Sequence, residues 1–202
     1  PYWQVIRFAA PALMAGNAAL LKHSPNTSGC ALSIEKLFLE AGFPKDLFKT
    51  VLADIPQIEE IVSDPRVAAV TLTGSTKAGK SLAALSGKYL KKTVLELGGS
   101  DPYIILEDAD LELATEACVT GRLINSGQSC IAAKRFIVTA AIADDFTDLI
   151  HQKLNAKQVG DPYDKESDIG PLAREDLRDQ LDNQVKASIQ SGAKCLLGGN
   201  KL

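Results

Sequence analysis

Apolar and polar positions recur along this chain with two periods, one helical and one alternating, and the switches between them mark out successive elements. The apolar segment from Phe8 to Leu21 reads as a helix followed by a strand, with AALLK, residues 18–22, as a buried strand. SGCALSIEKLFLEAG, residues 28–42, carries its apolar residues at helical spacing, with Ser28 as cap and Gly42 as stop. FKTVL then leads into a short helix near IPQIEEIV, AAVTLT (68–73) leads into a helix from about Thr76, and TVLEL (93–97) closes the series. Strand and helix in alternation predict a parallel sheet covered on both faces. After Gly98-Gly99 the texture changes. YIIL precedes a long helix from Leu111 to Asn125, the strand RFIV, a helix from Ala143 to Leu154, a loop rich in Gly, Pro and Asp, a helix ending at Ser191 and a strand-like CLL. The expected fold is α/β with a doubly wound parallel sheet, residues 1–97 forming one domain part and 98–202 another.

Composition narrows the classes of function. A chain of 202 residues with 46% hydrophobic residues has ample material for a core. Its net charge of -3 and singly scattered lysines leave no electrostatic footprint for nucleic acid. Cys30, Cys118, Cys130 and Cys195 form no CxxC pair, and a chain of this size does not depend on disulfides, so a reducing, cytoplasmic compartment is expected. Pro11, Asn17 and Lys22 interrupt the apolar start, no stretch reaches the ~18 apolar residues of a membrane span, and neither a membrane partner nor a metal is expected. The chain opens on Pro1-Tyr2-Trp3 and stops just after CLL, which reads as an internal fragment of a longer chain.

Three stretches carry candidate chemistry. TGSTKAGKS contains the phosphate-loop pattern at Gly74, Gly79, Lys80 and Ser81, and with YIILED as a magnesium-holding partner it would suit a nucleotide-binding protein. NSGQSC sets Cys130 in a polar, glycine-containing turn after a helix, where a thiol is accessible and backbone N–H groups favour the nucleophilic thiolate. Cys30 and Cys118 sit in apolar runs and read as packing residues. LELGGSDP presents Glu96 where a parallel strand runs into a glycine pair, at the strand end where such sheets keep their ligand sites. A thiol and a carboxylate suggest a nucleophile paired with a base.

LELGG followed by GQSC, together with LLKHSPNT, TLTGSTKAG and GDPYDKESDIGPL, resembles the aldehyde dehydrogenase superfamily from end to end of the chain. KHSPNTSGCA, LELGGSDP and KRFIV are most similar to its bacterial succinate-semialdehyde dehydrogenase branch. The resemblance implies part of a doubly wound cofactor domain lacking G-x-G-x-x-G, then part of a catalytic domain, and NAD(P)-dependent oxidation of an aldehyde. Cys130 would be the nucleophile and Glu96 the general base. Lys22 would reach the adenosine ribose, Gly74 and Ser75 the pyrophosphate, and Thr73, Leu97 and Gly98 the nicotinamide, while Gly79 lets the following helix pack closely. Pro25 replaces a glutamate that many NAD-preferring relatives place on the ribose, so NADP as well as NAD is allowed. Arg7 matches an arginine that pairs with a substrate carboxylate, although the second such arginine is Ile124 here and Arg122 lies two residues away. Lys80 and Ser81 would then lie on a helix and touch no phosphate. The family's oxyanion asparagine would fall before Pro1, and the motif E-I-F-G-P is not in this sequence, so residues 1–202 alone are expected to be inactive; family subunits bury sheet edges in oligomers, so the parent protein is expected to be a homo-oligomer.

Overall fold

The computed structural model describes residues 1–201, and the chain divides after Gly98 into two compact units. The first unit contains α1 (Tyr2–Met14), β1 (Ala19–Leu21), α2 (Ser28–Glu40), β2 (Phe48–Thr50), α3 (Ile58–Ser63), β3 (Ala69–Thr73), α4 (Thr76–Lys88) and β4 (Lys92–Glu96). β1 pairs in parallel with β2, Ala19 opposite Phe48, and β3 pairs in parallel with β4, ending with Thr73 opposite Glu96. Parallel neighbours cannot be joined by a tight turn, and α2 and α4 supply the two crossovers. Val5 and Ala9, one helical turn apart on α1, bury with Ala19, Ile34 and Phe48 to form this unit's core.

The ends of α2 show how local chemistry sets the boundaries. A 3-10 turn at Pro25–Thr27 runs directly into the helix, so Ser28 already has helical dihedrals. Its hydroxyl donates to the Pro25 carbonyl at 3.0 Å, and the expected Ser28 cap is not formed; Thr27 occupies that position. The expected stop at Gly42 is formed. With φ at +84°, Gly42 donates to Leu39 and Phe43 donates to Phe38, while the Phe38 and Phe43 rings meet edge-on at 5.1 Å.

The second unit contains β5 (Asp101–Ile105), α5 (Leu111–Leu123), β6 (Ala133–Val138), α6 (Ala143–Asn155) and α7 (Glu175–Gln190). β5 and β6 pair in parallel across α5, whose N-terminus is capped by Asp110 accepting from the Leu113 N–H at 3.1 Å. Ile105, Cys118, Val119, Phe146 and Ile150 form the core, with Tyr103 and Phe136 packed against it.

The strands pair in parallel between helices as expected, in three two-stranded ladders, and Leu20, Ile104 and Ile137 are exposed. Two expectations are corrected. α5 ends at Leu123 instead of Asn125, because Asn125 and Ser126 both turn left-handed at φ +53°. CLL forms no strand among the described residues; Leu196 and Leu197 are exposed and no neighbouring strand pairs with them. No helix among the described residues is long and apolar enough to cross a membrane.

Candidate active site

Glu96 is the last residue of β4, and its backbone carbonyl accepts from the Gly74 N–H at 3.0 Å, tying the β3–α4 turn to the strand end. Its side chain is 47% exposed, and Oε2 lies 3.4 Å from Nη2 of Arg7 on α1. The expected base and the expected substrate-binding arginine therefore meet directly. Both partners are solvated, so the pair holds the two groups together weakly and yields readily to a competing ion.

Thr73 ends β3, and only Gly74 and Ser75 separate it from α4. The Ser75 hydroxyl accepts from the Ala78 N–H at 3.2 Å, while the N–H groups of Thr76 and Lys77 find no acceptor among the described residues. An exposed helix start with free N–H groups suits an anion. Lys80 lies a full turn inside α4, and the Ser81 hydroxyl donates to the Lys77 carbonyl at 3.2 Å. The stretch that would have to be an open phosphate loop is thus helix from Thr76 on, which removes the phosphate-loop reading. Gly79 is buried against Leu97, and a Cβ there would stand 2.6 Å from one Leu97 methyl and 2.7 Å from the other. Only glycine lets α4 approach this closely.

Lys22 follows β1, half-buried, with no carboxylate in ion-pair reach among the described residues. The loops after β1 and β2 flank a shallow hollow lined in part by His23, Pro25, Ser28 and Leu52. The described residues contain no cluster of three or more His, Cys, Asp or Glu side chains able to hold a metal ion.

Cys130 belongs to the second unit and is exposed. After α5 the chain passes through left-handed Asn125, Ser126 and Gly127, an uncommon conformation for the first two, and outside contacts hold it there. The Ser126 hydroxyl accepts from the Gly170 N–H at 3.1 Å, and the Gln128 carboxamide accepts from the Ala173 N–H at 2.9 Å. From the other side, Lys134 Nζ donates to the carbonyls of Ser129, Cys130 and Ala132 at 3.0–3.1 Å. Arg122 packs its guanidinium against Gly127, with Nη1 buried and without a hydrogen-bond partner among the described residues. Cys118 is a core residue whose burial raises its thiol above the usual pKa, which keeps it protonated and inert. Cys30 is half-buried and Cys195 exposed.

The local settings of Cys130 and Glu96 brought those two forward and the resemblance brought forward Arg7 and the cofactor set, but neither identified Ser126, Gln128 and Lys134 as builders of the cysteine turn. Their partners lie on a loop more than forty residues away or are backbone carbonyls, which no residue type announces. Only the polar, glycine-containing character of NSGQSC pointed there.

Each unit is built on parallel strands joined by crossover helices, which places the chain in the α/β class. The model of the aldehyde dehydrogenase family matches residues 1–202, and the chain belongs to that family. It is 52% identical over all 202 residues to succinate-semialdehyde dehydrogenase NADP(+) 1 of Mycobacterium tuberculosis, covering 44% of that protein. It is 50% identical over the same span to succinate semialdehyde dehydrogenase NAD(P)+ Sad of Escherichia coli, again covering 44%. The crystal structure of succinic semialdehyde dehydrogenase from Streptococcus pyogenes in complex with NADP+ superposes with a TM-score of 0.96 at 38% identity, over 100% of this chain and 44% of that one. The chain thus spans less than half the length of the curated relatives it matches.

Proposed function

We propose that the protein carrying this chain oxidises an aldehyde to the carboxylic acid with NAD or NADP, using Cys130 as nucleophile and Glu96 as general base. The observation that carries this reading is the exposed Cys130, whose own N–H is donated to no acceptor among the described residues, on a turn braced from two sides. The Cys130 thiolate adds to the aldehyde carbon, and the carbonyl electron pair moves to oxygen, where the free Cys130 N–H serves as a donor. A nicotinamide dinucleotide, when bound, accepts the hydride that this carbon then gives up. The carbon is left as a thioester on Cys130, and Glu96 takes a proton from the water that hydrolyses it, freeing the thiol and the acid.

The first unit fits the dinucleotide. Gly74 offers no side chain, Ser75 and the free N–H groups of Thr76 and Lys77 suit a pyrophosphate, and Lys22 suits the ribose or its phosphate. Thr73, Leu97 and Gly98 would line the nicotinamide, with Gly79 admitting Leu97. Pro25 puts no charge where a 2'-phosphate would sit, and the relatives named for NADP(+) or NAD(P)+ support both cofactors. Residues 1–97 would serve as part of the cofactor domain and 98–202 as part of the catalytic domain.

The same relatives support succinate semialdehyde as the substrate, with Arg7 as the bidentate partner of its carboxylate. Exposed Leu20, Ile104 and Ile137 support a homo-oligomer or further chain covering these faces, the absence of CxxC pairing supports a cytoplasmic setting, and residues 1–202 alone would not turn over aldehyde. The test is NAD(P)H absorbance with a panel of aldehydes and each cofactor. Succinate semialdehyde should give the highest kcat/KM and Cys130→Ala no turnover, whereas Cys118→Ala and Cys30→Ala should stay within about tenfold of the parent. Comparable losses at all three cysteines would sink the assignment.

A further inference from the structure

Lys134 stands on β6 four residues beyond Cys130, and among the described residues its ammonium is engaged with the cysteine turn alone. Nζ lies 3.1 Å from the Ser129 carbonyl, 3.0 Å from that of Cys130 and 3.1 Å from that of Ala132. An ammonium has three N–H donors and no acceptor, so these partners satisfy it completely. Lys49, Lys88, Lys153 and Lys186 pair with carboxylates, but among the described residues no carboxylate comes within ion-pair distance of Lys134. Among the described residues its charge is opposed only by carbonyl dipoles.

Peptide planarity turns this contact into an orientation. The peptide bonds of this turn are trans, so each C=O points opposite to the N–H that follows it. Drawing the Ser129 carbonyl toward Nζ turns the Cys130 N–H away, and drawing the Cys130 carbonyl does the same to the Ile131 N–H. Neither N–H is donated to an acceptor among the described residues, while the Ala132 N–H closes the turn on the Ser129 carbonyl at 3.2 Å. The turn is therefore polarised: carbonyls and one cation gather on one side, and two free donors face the other.

We propose that Lys134 is a positioning residue for Cys130, gathering three carbonyls so that the Cys130 N–H stands outward as a free donor, and setting an unneutralised positive charge at the thiol's own turn. This rests on the reading of Cys130 as nucleophile, but its test can be made without turnover. In the whole protein carrying this chain, alkylation of Cys130 is followed by the mass of its peptide, with anionic iodoacetate and with neutral iodoacetamide, in Lys134→Met, Lys134→Gln and Lys134→Arg. Lys134→Met, which removes both the charge and the N–H donors, should slow iodoacetate about tenfold and iodoacetamide only about threefold, because a nearby cation attracts the anionic reagent selectively and the lost donors affect both. Lys134→Arg should restore both rates, and Lys134→Gln, which keeps N–H donors without the charge, should restore only the iodoacetamide rate. In the aldehyde assay, kcat should fall about 10- to 100-fold in Lys134→Met with KM for the dinucleotide unchanged, since an oxyanion donor is misaimed.

Wild-type alkylation rates and kcat in Lys134→Met would overturn the proposal. So would equal slowing of both reagents in all three variants, the signature of a merely structural role. Should Lys134→Met fail to fold, the ratio of the two rates in Lys134→Gln decides, and a ratio equal to wild type overturns the proposal. If Cys130→Ala retained aldehyde oxidation, the nucleophile reading would fall on its own while the alkylation rates still reported on Lys134.

Discussion

The ion pair between Arg7 and Glu96 joins two charges that, on the proposed reading, a carboxylated aldehyde would use at different moments, one to seat it and one to activate water. At 3.4 Å and with both side chains more than two-fifths exposed, the pair is open to exchange, and a substrate carboxylate that takes Arg7 would leave Glu96 unpaired. Arg7→Gln is therefore expected to lower kcat/KM for succinate semialdehyde roughly 10- to 100-fold, the range of a charge-assisted hydrogen bond, and to change that for butyraldehyde less than about threefold. Steady-state kinetics with both aldehydes check this; equal losses on both would show that Arg7 acts on something other than the carboxylate. At this scale the sequence was legible where chemistry follows residue type and motif. Cys130 and Glu96 stood out from their polar and glycine-rich settings, whereas the Arg7–Glu96 contact did not, because it depends on how α1 lies beside the end of β4.

The elements impose their own demands on the site. Gly79 allows α4 to press on Leu97, so Gly79→Ala forces a methyl into a gap of 2.6 Å. Overpacking of this kind costs about 1–3 kcal/mol, and relief by shifting Leu97 should weaken dinucleotide binding roughly tenfold or more, measurable by titration calorimetry. Unchanged affinity would separate this packing from the cofactor. In α2, Glu35 accepts from Lys49 Nζ at 2.6 Å and from the Thr50 N–H at 2.7 Å, and the Lys49 hydrogen bond above all holds its pKa below the ordinary carboxylate value. A depressed carboxylate stabilises the fold above its unfolded pKa, and that stability is lost as pH falls through the folded value. Glu35→Gln should accordingly lower the urea midpoint at pH 7, with the gap to wild type closing as pH drops below about 4. A gap independent of pH would assign the loss to packing. Hydrophobic period and glycine punctuation made most of these elements legible, down to the Gly42 stop. The Ser28 cap and the end of α5 were not, since the first was decided by an adjoining 3-10 turn and the second by left-handed Asn125 and Ser126, neither of which periodicity registers.

At the scale of the whole molecule, side chains that a doubly covered sheet would bury are exposed, Leu20 at 55% and Ile104 at 67% among them. The pattern of apolar residues on both faces was legible, but which face finds its cover within these residues was not. With 44% of the relatives' length represented, residues 1–202 produced alone are expected to give no NAD(P)H from succinate semialdehyde under conditions where the whole protein turns over. A rate within about tenfold of the whole protein would show these faces and the remaining length to be dispensable. Whether Cys130 carries the acyl intermediate is read in the whole protein with Glu96→Gln, mixed with aldehyde and NAD(P) and quenched within the first turnover. Hydride transfer precedes the hydrolysis that needs a base, so a burst of reduced cofactor should accompany an acyl group on the Cys130 peptide, its mass higher by that of the substrate acyl. A burst with an unmodified Cys130 peptide, or an acyl group on Cys30, Cys118 or Cys195, would contradict the account.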